Sequence, residues 1–411
     1  MSSTNISDSQ VTPTLNQRYD ILDALRGFAL FGICLANIAV FSGWITVPPP
    51  VKQNMAFAEY YDLLITMTVD GRFYTIFSFL FGMGFALQLE RLTKATGKTS
   101  IYLRRLFFLL LIGLVHLIFF WQGDILTLYA IMGFCLFLLR GLSDKVVLIV
   151  GLLFLLVPMM GYALFWQLGI DPDAGFYERT SRALGGDGSL PYFFQGFALN
   201  QSTTEWGVFY ETQMGLSTFR IGYLIESWRI PKVLGIMLVG MWAGRQLIKG
   251  QLVENIKLQQ RVLTFGLIVG IPASFWLWKL GGLSILSSHS MNGLLSVLAY
   301  TLAVFPMGFA YVAAFALLWH KAPQVLGVFA APGRMALTNY LSQTIICIAI
   351  FYGLGFGLGI KYSPFILVLI TTTIIALQTI CSKWWLKRFK FGPAEWVWRC
   401  LTYGKRLPIK V

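Results

Sequence analysis

Residues 27–47 form an apolar run without a charged side chain. At a rise of 1.5 Å per residue, a helix of this length crosses the roughly 30 Å apolar core of a bilayer. Nine further segments have a similar character, so we expect an all-α, polytopic integral membrane helix bundle with about ten transmembrane helices. The predicted spans are 27–47, 71–89, 103–121, 125–139, 146–169, 233–248, 262–280, 293–319, 336–360 and 364–386.

Composition excludes a soluble protein. Hydrophobic residues make up 56% of the chain and charged residues 12%, and the mean hydropathy is +0.68. The net charge of +14 resides mainly in alternate connections and the C-terminal tail, a distribution that the positive-inside rule assigns to the cytoplasm. We therefore expect both termini to be cytoplasmic, a multi-pass location in the cytoplasmic (inner) membrane, and no binding of nucleic acid.

The predicted organisation is a single transmembrane domain, 18–403, between a polar N-terminal tail, 1–17, and a basic C-terminal tail, 404–411. The N-terminal tail has no basic stretch before the first apolar run, so we expect this run to be retained as a signal anchor. The long connection 170–219 combines acidic and aromatic side chains. It is predicted to be extracytoplasmic, with amphipathic segments that could cap a cavity.

Four charged residues introduce the first span: Arg18, Asp20, Asp23 and Arg26. On a helix, Asp23 is one turn from Arg26, so the two can form an ion pair at the membrane edge. The group is either an interfacial anchor or an anion site at the mouth of the bundle. Asn37, near the middle of the span, adds a polar group that must be satisfied inside the protein.

Asp70 and Arg72 stand at the start of the second span, and His116 and Asp124 flank the turn after the third. Counting from Arg105, His116 lies about 16 Å into the membrane, in its extracytoplasmic half. Asp124 can bond one imidazole nitrogen and leave the other free as a base. The four residues are candidate catalytic groups; the alternative is a structural His–Asp bond that closes a hairpin.

Polar residues near the C-terminus form a second set of candidates. Arg334 could hold an anionic ligand at the cytoplasmic mouth, while Asn339 and Gln343 are expected to bond neighbouring helices. Glu395 and Arg399 belong to a predicted interfacial helix with several tryptophans. His289 and His320 are expected at the surface, no spacing indicates a metal site, and the five cysteines suggest no disulfide framework.

Several motifs resemble the YeiB-like family of bacterial membrane proteins, a domain of unknown function (418). They are Arg-x-Asp-x-x-Asp-x-x-Arg-Gly from Arg18, Asp-Gly-Arg-Phe from Asp70, Gly-Leu-x-His ending at His116, Gly-Asp-Ile-Leu-x-x-Tyr-Ala around Asp124, Gly-Arg-Met-Ala-Leu-Thr-Asn-Tyr around Arg334 and Gly-Pro-x-Glu-Trp-x-Trp-Arg ending at Arg399. That family is remotely similar to a superfamily of transmembrane acyltransferases.

The remote resemblance implies an acyl donor such as acyl-coenzyme A, entering from the cytoplasm, and an acceptor on the other side. Arg26 and Arg334 would hold the donor. Those enzymes place a catalytic histidine on or soon after the first span, whereas residues 39–69 contain none. His116, with Asp124, is therefore assigned the role of base on chemical grounds.

Three hypotheses about function follow. The first is an acyltransferase-like enzyme that moves an acyl group to an extracytoplasmic acceptor. The second is a permease for a small solute, in which His116 couples transport to protons. The third is a non-catalytic membrane component whose polar residues serve helix packing. The expected partners are the lipid bilayer and an unidentified small-molecule substrate, and assembly into a homo-oligomer stays open.

Overall fold

A computed structural model describes residues 20–47, 49–97, 99–170, 174–186, 190–252, 254–282, 290–359 and 363–411. The predicted tail 1–17, Arg18 and His289 lie outside these ranges. The described residues form helices and no sheet. The helices are α1 Asp20–Phe41, α2 Pro49–Gln53, α3 Ala58–Leu64, α4 Arg72–Thr96, α5 Ser100–Phe119, α6 Leu126–Leu138, α7 Asp144–Leu168, α8 Ala174–Ala183, α9 Leu190–Ser202, α10 Trp206–Glu226, α11 Arg229–Ile248, α12 Ile256–Lys279, α13 Met291–Lys321, α14 Pro323–Leu326, α15 Ala330–Arg334, α16 Ala336–Phe351, α17 Pro364–Leu386 and α18 Pro393–Tyr403.

The predicted class, an all-α polytopic bundle, is confirmed. Seven helical segments are long and apolar enough to cross a membrane: α1, α3 with α4, α5, α7, α12, α13 and α17. The helices α6 and α16 are apolar but shorter, and α11 coincides with the remaining predicted span. Several boundaries differ from the sequence prediction, and the first helix, α1, spans Asp20–Phe41 rather than 27–47. The helix α11 begins at Arg229 rather than 233, and α16 ends at Phe351 because a glycine-rich series of turns follows it.

The helix α1 is the most enclosed of the seven, whereas α7, α12 and α17 expose most of their apolar side chains, as lipid-facing helices do. Two close crossings fix the interior. The backbone of α4 at Gly82 approaches α11 so closely that a Cβ there would lie 1.9 Å from the carbonyl oxygen of Met237. At the second crossing, α1 meets α15 through Gly27 and Gly333. Small residues permit such contacts between helices.

The connection after α7 contains α8, α9 and α10, which pack on one another. Gln201 of α9 donates from Nε2 to the carbonyl oxygens of Val40 and Phe41, at 2.9 and 3.1 Å. Gln213 of α10 donates to the carbonyl oxygen of Leu117 at 2.9 Å. These bonds are made to carbonyl groups in the last turns of α1 and α5, where helical partners are missing or incomplete. The connection therefore covers one end of the bundle.

Candidate functional site

His116 and Asp124 form a buried pair at the turn between α5 and α6. The helix α5 ends at Phe119, and the chain reverses with Trp121 N–H donating to the carbonyl oxygen of His116 at 2.9 Å. This turn brings Nδ1 of His116 to 2.8 Å from Oδ2 of Asp124. The two residues are 3% and 1% exposed. The interaction that the spacing predicted therefore forms locally.

Asp124 has two further roles. Its Oδ1 accepts a hydrogen bond from the backbone N–H of Thr127 at 2.8 Å, in the first turn of α6. Its carbonyl oxygen accepts a hydrogen bond from Arg220 of α10. These bonds orient the carboxylate toward His116. An ionised carboxylate can only accept, so with Asp124 ionised Nδ1 of His116 is the donor and Nε2 is the nitrogen that can act as a base.

The basic nitrogen of His116 meets a hydroxyl group. Nε2 lies 2.9 Å from Oγ1 of Thr344 on α16, a residue that is 228 positions away in the sequence. Thr344 is 2% exposed. Hydroxyl, imidazole and carboxylate thus stand in series, the arrangement by which a histidine withdraws a proton from a hydroxyl and a carboxylate stabilises the resulting imidazolium. The site can therefore activate a hydroxyl group.

A cavity of about 230 Å³ lies beside this pair, between α1, α4, α5, α6, α16 and α18. One end is charged and the walls are apolar. We call it the arginine cavity, after the four arginines at its charged end: Arg26, Arg105, Arg334 and Arg399, which stand with Asp23 and Glu395. The walls include Leu30, Ile33, Phe77, Phe81, Leu106 and Leu126. Such a shape fits a molecule with an anionic head and an apolar chain.

The crossing of α1 and α15 brings Arg26 and Arg334 into the same cavity. A Cβ at Gly27 would lie 2.0 Å from the carbonyl oxygen of Phe329, and one at Gly333 would lie 1.7 Å from that of Asp23. Backbone contact at these glycines places the adjoining arginines at one opening. Arg26 also forms an ion pair with Asp23 at 2.8 Å.

The helix α18 packs at the charged end of the cavity, which Glu395, Trp398 and Arg399 line. The ring of Trp398 lies 3.8 Å from the guanidinium carbon of Arg105, and its Nε1 donates to the carbonyl oxygen of Arg105 at 2.9 Å. Glu395 accepts hydrogen bonds from Leu337 N–H at 2.7 Å, Thr338 N–H at 3.1 Å and Thr338 Oγ1 at 2.5 Å. It therefore caps the first turn of α16. Burial raises the pKa of Glu395 above its usual range.

The inner end of the cavity reaches the His116 pair through one aromatic ring. Tyr340 and Ile125 line the cavity, and the ring of Tyr340 lies 5.3 Å from that of His116, centroid to centroid. Ile125 directly follows Asp124 in the chain. Tyr340 thus lies between the cavity and the imidazole.

Asn339 and Gln343 connect α16 to α17. Nδ2 of Asn339 donates to Oγ of Ser382 at 3.0 Å, and Nε2 of Gln343 donates to Oε1 of Gln378 at 2.9 Å. Gln378 in turn donates to the carbonyl oxygen of Asn339 at 2.9 Å. These side chains serve helix packing.

The residue Asn37 is half-buried, and its side chain forms no hydrogen bond with the part of the chain that the structure describes.

Asp70 and Arg72 lie apart from the His116 pair. Arg72 is fully buried and donates to the carbonyl oxygen of Asp70, at 2.5 Å, and to Ser274. No hydrogen bond, ion pair or ring contact joins these residues to His116 or Asp124 within the described ranges. The four predicted catalytic candidates therefore form two groups, and only His116 and Asp124 stand beside the arginine cavity.

Three cations that the motifs did not indicate connect the two groups. Arg220 lies over the ring of Tyr223 at 5.4 Å, and Arg229 donates to the hydroxyl of Tyr223 at 3.0 Å and lies 4.1 Å from the ring of Tyr74. Lys232 lies one turn further along α11. Residues 220–232 fall between the predicted loop and the predicted sixth span. The sequence feature that could have indicated these residues is the series of cations beside an apolar segment.

Comparison with known proteins identifies relatives along nearly the whole chain. A family model described as "Protein of unknown function (DUF418)" matches residues 243–405. The chain is 33% identical to the uncharacterized protein YxaH of Bacillus subtilis (strain 168), with 98% of each chain covered. It is 30% identical to an uncharacterized 39.9 kDa protein from the amylase 3' region of Bacillus acidopullulyticus, with 96% of each covered.

A third relative is the uncharacterized protein YeiB of Escherichia coli (strain K12). It is 29% identical over 94% of this chain and 96% of its own length. No solved structure matches the chain.

Proposed function

This chain belongs to the YeiB-like DUF418 family of multi-pass membrane proteins, and we propose that it is an acyltransferase-like enzyme of the cytoplasmic (inner) membrane. The observation that supports the proposal is that Tyr340 and Ile125, which line the arginine cavity, adjoin His116 and Asp124 respectively. A cavity with four guanidinium groups at one end and apolar walls suits a phosphate-bearing acyl donor. A histidine base at its other end suits transfer of the acyl group.

The donor is proposed to bind with its phosphates at the charged end. Arg26 and Arg334, held together by the crossing of α1 and α15, would contact the phosphates, and Arg105 and Arg399 would add charge. Arginine suits this role because its planar group bonds phosphate through two N–H groups at once. The acyl chain would follow the walls of Leu30, Phe77 and Phe81 toward Tyr340. Acyl-coenzyme A has this combination of features.

His116 is proposed to activate the acceptor. Its Nε2 would accept the proton of an acceptor hydroxyl as that oxygen attacks the thioester carbonyl carbon. The carbon–sulfur bond then breaks, and the imidazolium returns the proton to the departing thiolate, so that an ester and a free thiol result. Thr344 Oγ1 now occupies the position on Nε2 that the acceptor hydroxyl would take. Asp124 stabilises the imidazolium between the two steps.

A permease for a small solute is the second candidate. It is favoured by the polar series that continues past Tyr340, from Asp124 through Arg220 and Arg229 to Asp70. Polar and charged groups inside a membrane protein commonly mark a solute pathway. In this case the solute would move along the series and no bond would break.

Native mass spectrometry in mild detergent tests the donor site first. Wild-type protein is incubated with acyl-coenzyme A, beside Arg26→Gln and the control Lys257→Gln, which removes an exposed cation on α12. We expect wild type and Lys257→Gln to retain the donor and Arg26→Gln to lose it. Retention by all three proteins, or by none, would exclude the arginine cavity as the donor site.

His116→Ala separates chemistry from binding. It removes the base and leaves the charged end of the cavity intact, so we expect it to retain acyl-coenzyme A. Thioester cleavage should fall by about 10²- to 10⁴-fold, the usual contribution of a general base. Unchanged cleavage would refute the assigned role. Proton-dependent solute uptake into proteoliposomes, without thioester cleavage in wild type, would support the permease instead.

A further inference from the structure

Four buried cations lie in the half of the bundle away from the arginine cavity. Arg72 is 0% exposed, Lys232 is 3% exposed, and Arg220 and Arg229 are each 9% exposed. Their partners are backbone carbonyl groups, hydroxyls and aromatic rings. Among the described residues no carboxylate lies within ion-pair distance of any of the four. Buried charges in proteins are nearly always paired, because removing an unpaired charge from water is costly.

Three of these cations, Arg72, Arg229 and Lys232, lie around Asp70. Arg72 begins α4 and Arg229 begins α11, so two helix N-termini add positive potential at this point. Arg229 lies over the ring of Tyr74, and Nζ of Lys232 lies 4.2 Å from the ring centre of Tyr300. Asp70 interacts electrostatically with all three cations. Asp70 is half-buried whereas the three cations are buried, so the group is nearest the protein surface at Asp70.

The charges of this group do not balance when Lys232 is protonated. Arg72, Arg229 and the protonated Lys232 then supply three positive charges, and Asp70 supplies one negative charge at longer range. Nε of Arg72 and Nε of Arg229 are buried without an acceptor. We propose that Arg72, Arg229 and Lys232, with Tyr74 and Tyr300, form a binding site for a phosphate-class oxyanion. A phosphate monoester carries about −1.5 to −2 charges at pH 7, which matches the excess, whereas a carboxylate carries one.

This second anion site does not depend on acyl transfer. It lies at the opposite ends of α4 and α11 from the charged end of the arginine cavity, because Gln88 of α4 lines that cavity and Arg72 is four turns away. The ligand is either a lipid phosphate or a soluble phosphate ester. Both present the same group to the same cations.

Equilibrium dialysis of the full-length protein with labelled inorganic phosphate tests the site. The variants are Lys232→Met, which removes one cation with little change of volume, Arg26→Gln, the two combined, and the control Lys257→Gln. We expect Lys232→Met to lose one bound phosphate per chain, or to weaken it about tenfold or more. Arg26→Gln should affect only phosphate held in the arginine cavity, and Lys257→Gln should affect neither.

The outcomes separate the two sites. Wild type could bind one phosphate, with binding abolished in Lys232→Met and unchanged in Arg26→Gln. That result would support the second anion site and refute the donor site in the arginine cavity. If Lys232→Met binds phosphate as wild type does, or if Arg26→Gln alone removes all binding, the second site is refuted. Competition by phosphatidic acid in nanodiscs identifies a lipid ligand, and competition by glycerol 3-phosphate identifies a soluble one. Competition by neither refutes the proposed ligand class.

Measurements of stability distinguish the loss of a binding site from a folding defect. Removing an unpaired buried cation should not destabilise the protein, so Lys232→Met should unfold at or above the wild-type midpoint in phosphate-free buffer. Phosphate should raise the midpoint of wild type and not that of the variant. As a second variant, Arg229→Lys keeps the charge but loses the two-pronged hydrogen bonding, and it should weaken phosphate binding. If Arg229→Lys binds phosphate as tightly as wild type does, Arg229 is not part of the site and the proposed site is refuted.

Discussion

Gly333→Ala tests whether the crossing of α1 and α15 builds the arginine cavity. A Cβ at this position would lie 1.7 Å from the carbonyl oxygen of Asp23, whereas ordinary contact begins at 3.4 Å. The next nearest atoms, the carbonyl carbon of Asp23 and the amide nitrogen of Gly27, are also backbone atoms. Backbone cannot rotate away as a side chain can, so the two helices must separate by about 1.7 Å.

This separation of the helices determines how much the substitution lowers the free energy of unfolding. Overpacking of a close contact destabilises a protein by about 1–3 kcal/mol. Replacing glycine by alanine also lowers the conformational entropy of the unfolded chain, which stabilises the folded protein by about 0.4–1 kcal/mol. We therefore expect a net destabilisation of about 1–2 kcal/mol. Because Arg26 and Arg334 adjoin the crossing, their spacing changes too, and misplacement by 1 Å can cost about 10²-fold in rate.

Gly327→Ala is the matched control. Gly327 lies in the same short segment before α16, and a Cβ there would meet nothing within 4 Å. Thermal unfolding in mild detergent and retention of acyl-coenzyme A are measured for both variants. Gly333→Ala should lower the unfolding midpoint and lose the donor, while Gly327→Ala should match or slightly exceed wild type. Equal behaviour of the two variants would refute the close crossing and its role in holding the arginines.

Two further predictions concern residues around the site. Thr344→Val removes the hydroxyl on Nε2 of His116 while keeping the volume of the side chain, and Thr344→Ser keeps the hydroxyl. If Thr344 orients the imidazole, Thr344→Val should lower the rate of thioester cleavage about tenfold or more, and Thr344→Ser should keep most of the wild-type rate. Both variants should retain the donor as wild type does. Equal rates of cleavage for the two variants would contradict this role. For Glu395, whose folded pKa is raised by burial, the stabilisation is present at low pH and is lost as the pH rises through the folded pKa. Glu395→Gln should therefore flatten the dependence of the unfolding midpoint on pH above about 4.5, the ordinary value for this group, and an unchanged dependence would show that Glu395 is not its source.

Local features of the sequence predicted the parts of the site that form locally. The alternation of apolar spans and basic connections predicted the membrane helix bundle. His116 and Asp124 are eight positions apart and meet across one tight turn, so their spacing sufficed to predict the pair. The arginines next to Gly27 and Gly333 could be named as candidates because a charge at the end of a span is visible in the sequence.

Contacts between distant segments could not be predicted from the sequence. Thr344 reaches His116 from 228 positions away, and an apolar segment with one threonine gives no signal of that contact. Arg105 and Arg399 join the cavity only because α18 folds back onto α5. Arg229 and Lys232 fell between the predicted loop and the predicted sixth span, and nothing in the sequence indicated that they would be buried.

The sequence by itself determined that the chain is a helical membrane protein, because the hydrophobic length of each span is a local property. It also determined the His–Asp pair, which depends on one turn. Only the tertiary structure decided which polar groups share a cavity, because side-chain orientation follows from how the helices cross. It alone separated Asp70 and Arg72 from His116, and it alone gathered buried cations that form no close ion pair with a carboxylate of the described residues.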